Sequence, residues 1–536
     1  MLNSNVSQTL ITLLDKCKSM HSLKQIHALL ITLSLSQDDP FVSRLISFTA
    51  LSDSGNIDYS SKVLLNLPNP TVFYWNTVIR GYSKSQNPNK SISLFAKMLR
   101  DGDGVLPNYL TYPFLAKASA RLYKRDVATT IHAHIVKSGY ESDLFVSNSL
   151  IHMYGSCREK TYARQVFDGM PMRNLVSWNS MLDGHAKCKE MDMAREVFDL
   201  MPNKDVVSWS SMIDGYVKSG DYKEALMIFE RMRAVGPKAN EVTMVSVLCA
   251  CAHLGTLDNG RMMHQYMIDN GVPLTLVLRT SLVDMYAKCG AIQEALVVFR
   301  QVKMLQRDVF IWNAMIGGLA MHGFVNEALE LFTEMQTVGI TPDDITFLCL
   351  LSASAHGGLV KEAWYFFECL IKCGMTPKSE HYACMVDVLS RAGRVEEAYE
   401  FVCQMPVEPT ASMLGALLTG CMNHGKLDVA EIVGKMLIEL DPDHDGRYVG
   451  LSNVYAVFKR WDDARAMREA MEMRGVKKYP GCSFVEMCGT LHRFIAHDKT
   501  HPKSENIYMI LKFIVSQMKH DVYQIQHHLL YDMEGV

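Results

Sequence analysis

Between Val206 and Asn240 the pattern of apolar and polar residues describes two helices in succession. Trp209, Met212, Ile213 and Tyr216 fall at i, i+3, i+4 and i+7. After a break at Ser219-Gly220, the residues Tyr222, Ala225, Leu226, Phe229 and Met232 lay out a second apolar stripe. Gly236-Pro237 ends the second helix. Each helix is too apolar on one side to stand alone, so the hairpin must stack against copies of itself.

The copies are present. Val309–Asp343 repeats the pattern at the same 35-residue length. Further units run Phe41–Thr71, Val72–Asn108, Tyr109–Asp143, Leu144–Asn174 and Leu175–Asp205 before it. Glu241–Thr275, Leu276–Asp308, Asp344–Lys378 and Ser379–Pro409 fill the rest, and Ser7–Asp39 reads as a degenerate copy. Long units alternate with short ones, which close on a Met-Pro step at Met170-Pro171, Met201-Pro202 and Met405-Pro406. The periodicity predicts an all-α chain of stacked helix-turn-helix repeats.

Several units place an aromatic before Asn or Ser and then a Gly-Tyr pair, as in Trp75-Asn76…Gly81-Tyr82 and Trp209-Ser210…Gly215-Tyr216. This resembles the pentatricopeptide repeat, and the alternation of lengths resembles its plant PLS subfamily. The resemblance implies a right-handed α-solenoid. After Pro409, Thr410–Leu440 and Tyr448–Gly475 are still paired helices with other signatures. Leu451-Ser452-Asn453-Val454-Tyr455, Arg460-Trp461, Tyr479-Pro480-Gly481-Cys482-Ser483 and His497-Asp498-Lys499-Thr500-His501-Pro502 resemble the E-type extension of that subfamily. The expected organisation is a leader at 1–6, repeats over 7–409, the extension over 410–510 and a tail at 511–536.

Composition changes this picture little. The 536 residues are 48% hydrophobic with a net charge of −3, which argues against indiscriminate binding to phosphates but leaves room for a locally positive groove. No apolar run approaches the roughly 18–20 residues that span a bilayer, so no membrane partner is expected. Of fourteen cysteines, Cys157, Cys188 and Cys289 share one repeat position and Cys17 and Cys251 another, which reads as packing thiols rather than a disulfide framework. Trp75, Trp178, Trp209 and Trp312 likewise share a register and read as packing aromatics. His132 and His264 recur at equivalent positions and are expected to be structural.

In the family that the sequence resembles, each repeat reads one base of single-stranded RNA with two side chains. Carried onto this chain, the first site is the residue after the shared aromatic: Asn76, Asn179, Ser210 and Asn313, with Asn148 and Thr280 in the short units. The second sites are Asn108, Asn174, Asp205, Asn240, Asp308 and Asp343. Pro113, Val245 and Leu348 replace the polar first residue in the L-type units, whose bases are left unassigned. The family's code then implies Y-n-Y-U-A-n-G-U, read 5′ to 3′ along units Val72 to Val309.

The resemblance implies an RNA-binding protein of mitochondria, or alternatively chloroplasts, which marks sites for C-to-U editing and recruits a DYW-type deaminase in trans. Two other readings are a transcript-protecting, processing or translation factor and a peptide-binding scaffold. No catalytic residue, metal ligand or cofactor site is expected. A zinc deaminase needs H-x-E and P-C-x-x-C, and neither H-x-E nor C-x-x-C occurs among the nineteen His and fourteen Cys. The purified protein is therefore expected to hold no stoichiometric zinc and to leave cytidine unchanged when incubated alone; turnover without an added protein would refute this.

Overall fold

The computed structural model describes residues 4–101, 104–478, 481–487, 490–495 and 498–533. Among these the chain is helical throughout the predicted repeats, and it divides into two compact units, Met1–Ala250 and Cys251–Val536.

In the first unit, paired helices succeed one another from Ser4–Asp15 and Met20–Thr32 to Val206–Ser219 and Tyr222–Val235. The first helix of a pair packs both on its own second helix and on the first helix of the next pair, as Val72–Lys84, Thr111–Leu122, Leu144–Ser156 and Leu175–Lys187 do in sequence. The second unit follows the same plan from Leu276–Lys288 and Ile292–Gln301 to Asp445–Val457 and Trp461–Met473. Among the described residues no helix is long and apolar enough to cross a membrane.

The archetypal pair shows why these residues fold this way. Asp205 caps Val206–Ser219 by accepting from the Ser208 backbone N–H at 2.9 Å, and Ser208 returns the bond to the Asp205 N–H. Gly220, at φ 87°, turns the chain through the left-handed region that a side chain would resist. Trp209, Met212, Ile213 and Tyr216 are buried as their spacing predicts. On the second helix the buried line is Ala225, Ile228, Phe229 and Met232, while Tyr222 and Leu226 sit half-buried at its edge. Ile228 extends the predicted stripe, buried with its neighbours on the helix that packs against Val206–Ser219.

Aromatic contacts join successive pairs. Trp178, Trp209 and Trp312 meet Phe167, Phe198 and Phe299 of the preceding second helix edge-on, with centroids 5.0, 4.8 and 5.0 Å apart. A basic residue of each intervening loop, Arg173, Lys204 or Arg307, lies over the same Phe ring. The shared Trp register is thus a packing register. His132 and His264 pair their Nδ1 with the hydroxyls of Tyr154 and Tyr286, both at 2.9 Å, and burial lowers the pKa of both imidazoles. Cys157, Cys188 and Cys289 each occupy the C-cap of a first helix.

The predicted helices of 410–475 are present, but the extension then leaves the all-α pattern. Strands β1 (Cys482–Met487) and β2 (Thr490–Ile495) form an antiparallel hairpin, with Cys482 opposite Ile495 and Met487 opposite Thr490. A helix, Ser504–Met533, follows and runs through the expected 510/511 boundary. Helix Ser4–Asp15 likewise takes in residues 4–6 of the expected leader. Tyr479, Pro480 and His497 of the extension signatures lie outside the described residues.

Small residues let the first helices approach. A Cβ on Gly155 would stand 2.7 Å from the Gly184 Cα, whereas one on Gly184 would stand 3.4 Å from the Gly155 Cα. Gly→Ala inside a helix gains roughly 1 kcal/mol of helix propensity, and overpacking a core costs typically 1–3 kcal/mol. In urea denaturation, Gly155→Ala is therefore expected to destabilise the protein and Gly184→Ala to leave it unchanged or slightly more stable.

Candidate RNA-reading surface

The twelve sequence-predicted residues occupy two kinds of place. The first-site residues stand in the second turn of a first helix, where Asn76, Asn148, Ser210 and Asn313 are buried and Asn179 and Thr280 half-buried. Most second-site residues lie at the N-terminus of the next first helix. Asn174, Asp205, Asp308 and Asp343 are N-caps there, and Asn240 accepts from the Thr243 N–H in the same manner. Each cap oxygen satisfies a backbone donor that the helix itself cannot pair.

Stacking then brings the two sites together. In the first unit the Nδ2 of Asn76 donates to Asn108 Oδ1 at 3.0 Å, Asn148 to Asn174 at 3.3 Å, and Asn179 to Asp205 at 3.2 Å. Ser210 and Asn240 are bridged by Thr243, whose hydroxyl lies 2.6 Å from Ser210 Oγ and donates to Asn240 Oδ1 at 2.9 Å. In the second unit Asn313 donates to Asp343 at 2.8 Å. The sixth pair differs: Thr280 donates to the Leu276 carbonyl and Asp308 accepts from the Ile311 N–H. Four of the six pairs are thus joined directly and one through a hydroxyl.

Charge is held steadily at Asp205. Burial acts to raise the Asp205 carboxyl, but hydrogen bonds from the Ser208 N–H and hydroxyl and from the Asn179 amide outweigh it, so its pKa lies below the ordinary value. Asp205 therefore presents an acceptor to whatever approaches at neutral pH.

Two features escaped the sequence reading. The first is a threonine three residues after the second site in the units that follow Asn76, Ser210 and Asn313. Thr111 and Thr346 donate to Asn76 Oδ1 and Asn313 Oδ1, both at 2.7 Å, and so fix which way each amide faces. No such threonine follows Asn148 or Asn179. There Ser177 and Ser208 bond the cap residue instead, and the Oδ1 atoms of Asn148 and Asn179 are buried without a partner. The second feature is an apolar residue three positions before each first site that faces solvent. Phe73, Phe145, Val176 and Val207 form this row in the first unit, and Val277 and Phe310 in the second. The recurring Thr at one register, and apolar residues that break the amphipathic pattern, were the available signals.

A pentatricopeptide repeat-containing protein of Arabidopsis thaliana is 62% identical to this chain over 508 residues, covering 95% of both. The chain belongs to the pentatricopeptide repeat family. The PPR repeat model matches residues 73–103, 176–206, 277–306, 345–375 and 380–408, and the PPR repeat family model matches 204–253 and 307–356. An E motif matches 424–486, inside the expected extension. Among other Arabidopsis pentatricopeptide repeat proteins, a mitochondrial one is 37% identical over 93% of this chain and 88% of its own, and a chloroplastic one is 40% identical over 94% and 90%. Of solved structures, the maize pentatricopeptide repeat protein PPR10 aligns with 89% of this chain and 79% of its own at 16% identity and a TM-score of 0.43. PPR10 in complex with an 18-nt psaJ RNA element aligns with 89% and 95% at 15% identity and a TM-score of 0.34.

Thr346 is fully buried and Asn313 nearly so. Removing the hydroxyl strands the Asn313 acceptor, and an unsatisfied buried polar group costs about 1–3 kcal/mol. Thr346→Val is expected to lose that much stability in urea denaturation while Thr346→Ser retains most of it.

Proposed function

We propose that this pentatricopeptide repeat protein binds single-stranded RNA by sequence, one base per repeat, through its paired first and second sites. The observation that carries the reading is the pair of orphaned acceptors, Asn148 Oδ1 and Asn179 Oδ1, each on a residue whose Nδ2 is already tied to its second-site partner. A buried acceptor without a donor is costly, and a ligand that brings an N–H removes the cost. The Watson–Crick edge of uracil carries such an N–H. Uracil is the base assigned to Asn179 with Asp205, and a pyrimidine is assigned to Asn148 with Asn174. The exposed apolar row beside these sites supplies faces for the bases to lie against.

The E motif supports a narrower role. By family analogy the protein marks a C-to-U editing site in an organellar transcript, the Y-n-Y-U-A-n-G-U element lying upstream of the target C, with a deaminase supplied in trans. The mitochondrion is the proposed compartment and the chloroplast the alternative; family relatives carry both labels.

Ser210→Asn tests the register. Base readout is worth about 1–3 kcal/mol per contact by analogy with DNA recognition. In fluorescence anisotropy with RNAs that vary only at the A position, the variant is expected to shift its preference to a pyrimidine by that margin and leave other positions unaffected. Equal loss of affinity for all four bases would show that Ser210 serves packing alone.

A further inference from the structure

One cleft on the first-helix face of the first unit is not accounted for by the base-reading pairs. It has a volume of about 620 Å³ and crosses four successive repeats, with Arg80, Lys84, Lys117 and His152 among its lining residues together with Phe114 and Phe145. No Asp or Glu lines it. It opens beside Pro113, the residue that stands where a reading side chain would be, and it includes Asn148, whose Oδ1 is unpartnered.

The charge here differs from that of other repeats. In four other repeats the Lys or Arg in the last turn of the first helix is matched by an aspartate four residues earlier. Lys187 pairs with Asp183 and Lys218 with Asp214 at 2.6 Å, Lys288 with Asp284 at 2.8 Å, and Arg391 with Asp387 at 2.9 Å. In the Val72 unit the position of that aspartate is Arg80, and Lys84 follows it four residues on. In the Tyr109 unit the same position is Lys117. Among the described residues no carboxylate lies within ion-pairing distance of Arg80, Lys84 or Lys117. His152 takes this position in the Leu144 unit and faces Asp183 at 3.8 Å. The Arg80 guanidinium lies 5.7 Å from the centre of the Phe114 ring.

We propose that this cleft is the phosphate anchor of the RNA site. It holds the backbone of the nucleotides opposite the Tyr109 and Leu144 units through Arg80, Lys84 and Lys117, and takes the unread base against Phe114 and Phe145 whatever its identity. The inference rests on the RNA-binding reading above. Three unneutralised cations around an open cleft form a field that only a polyanion or a set of counterions can satisfy. Aromatic faces stack any base, so the cleft contributes affinity without selecting sequence. The repeats carrying Asp–Lys and Asp–Arg pairs have surrendered that charge, so salt sensitivity is concentrated at the 5′ part of the bound strand.

The test is the salt dependence of binding to the matched Y-n-Y-U-A-n-G-U strand and to a scrambled strand, for wild type and for the double variant Arg80→Gln/Lys117→Gln. Each phosphate contact on a single strand contributes about 0.7 to the slope of log K against log salt. The double variant is expected to lose about 1.4 from that slope. It is also expected to bind both strands about 25-fold more weakly at 0.1 M salt, with its matched-over-scrambled ratio unchanged. The charge-retaining variant Arg80→Lys/Lys117→Arg is expected to restore the slope, and an unchanged far-ultraviolet melting curve shows that all variants fold. An unchanged slope in the double variant, while wild type still prefers the matched strand, overturns the anchor and leaves the RNA reading standing. A wild type that does not prefer the matched strand overturns the RNA reading, and the anchor with it.

Discussion

Each helical pair in this protein has apolar surface that it cannot bury by itself. Trp209 needs the Phe198 of the preceding unit, as Trp312 needs Phe299. Burying one such aromatic is worth roughly 1.5–3 kcal/mol, a sum a lone hairpin forfeits. The same stacking fixes where polar groups fall. The N-terminus of each first helix is pressed against the second turn of the previous one, and its cap residue must serve two neighbours. Asp205 answers both by accepting from the Ser208 N–H and from Asn179. A packing requirement thereby generates a row of paired polar side chains at regular spacing.

That row is what makes the fold suited to reading a polymer. The hydrogen bonds that join five of the six pairs, one of them through Thr243, pre-order those side chains, so little conformational entropy remains to be lost when a base arrives. Repeats in which the pairing leaves an acceptor over, as at Asn148 and Asn179, are poised for a donor. Repeats in which Thr111 or Thr346 occupies that acceptor are locked in one orientation. The cleft at Arg80 and Lys117 supplies the complementary property, attraction without selection, in the repeat whose reading position is Pro113.

Much of this was legible in the sequence because period and register are sequence properties. The spacing of Trp209, Met212, Ile213 and Tyr216 locates the buried face, and the offset between Asn179 and Asp205 places them at the two ends of one contact. Other features depend on geometry that no single repeat reveals. Whether Thr346 caps its own helix or reaches back to Asn313 is decided by the distance between neighbouring helices. Phe73 and Phe145 look like core residues from composition, and only the helix rotation shows them turned to solvent. The hairpin at 482–495 is less legible, because it is a short departure from a chain dominated by helical periodicity. Its aromatic and β-branched pair Phe484-Val485, in a short run ending at Gly489, is a strand signal in its own right.

The central claim is that paired sites in successive repeats read successive bases. Selection of bound sequences from a pool of random single-stranded RNA tests it most directly. The account predicts enrichment of Y-n-Y-U-A-n-G-U, with no preference at the two positions opposite Pro113 and Val245. A pool that emerges unenriched, or one whose strongest preferences fall at those two positions, would contradict it.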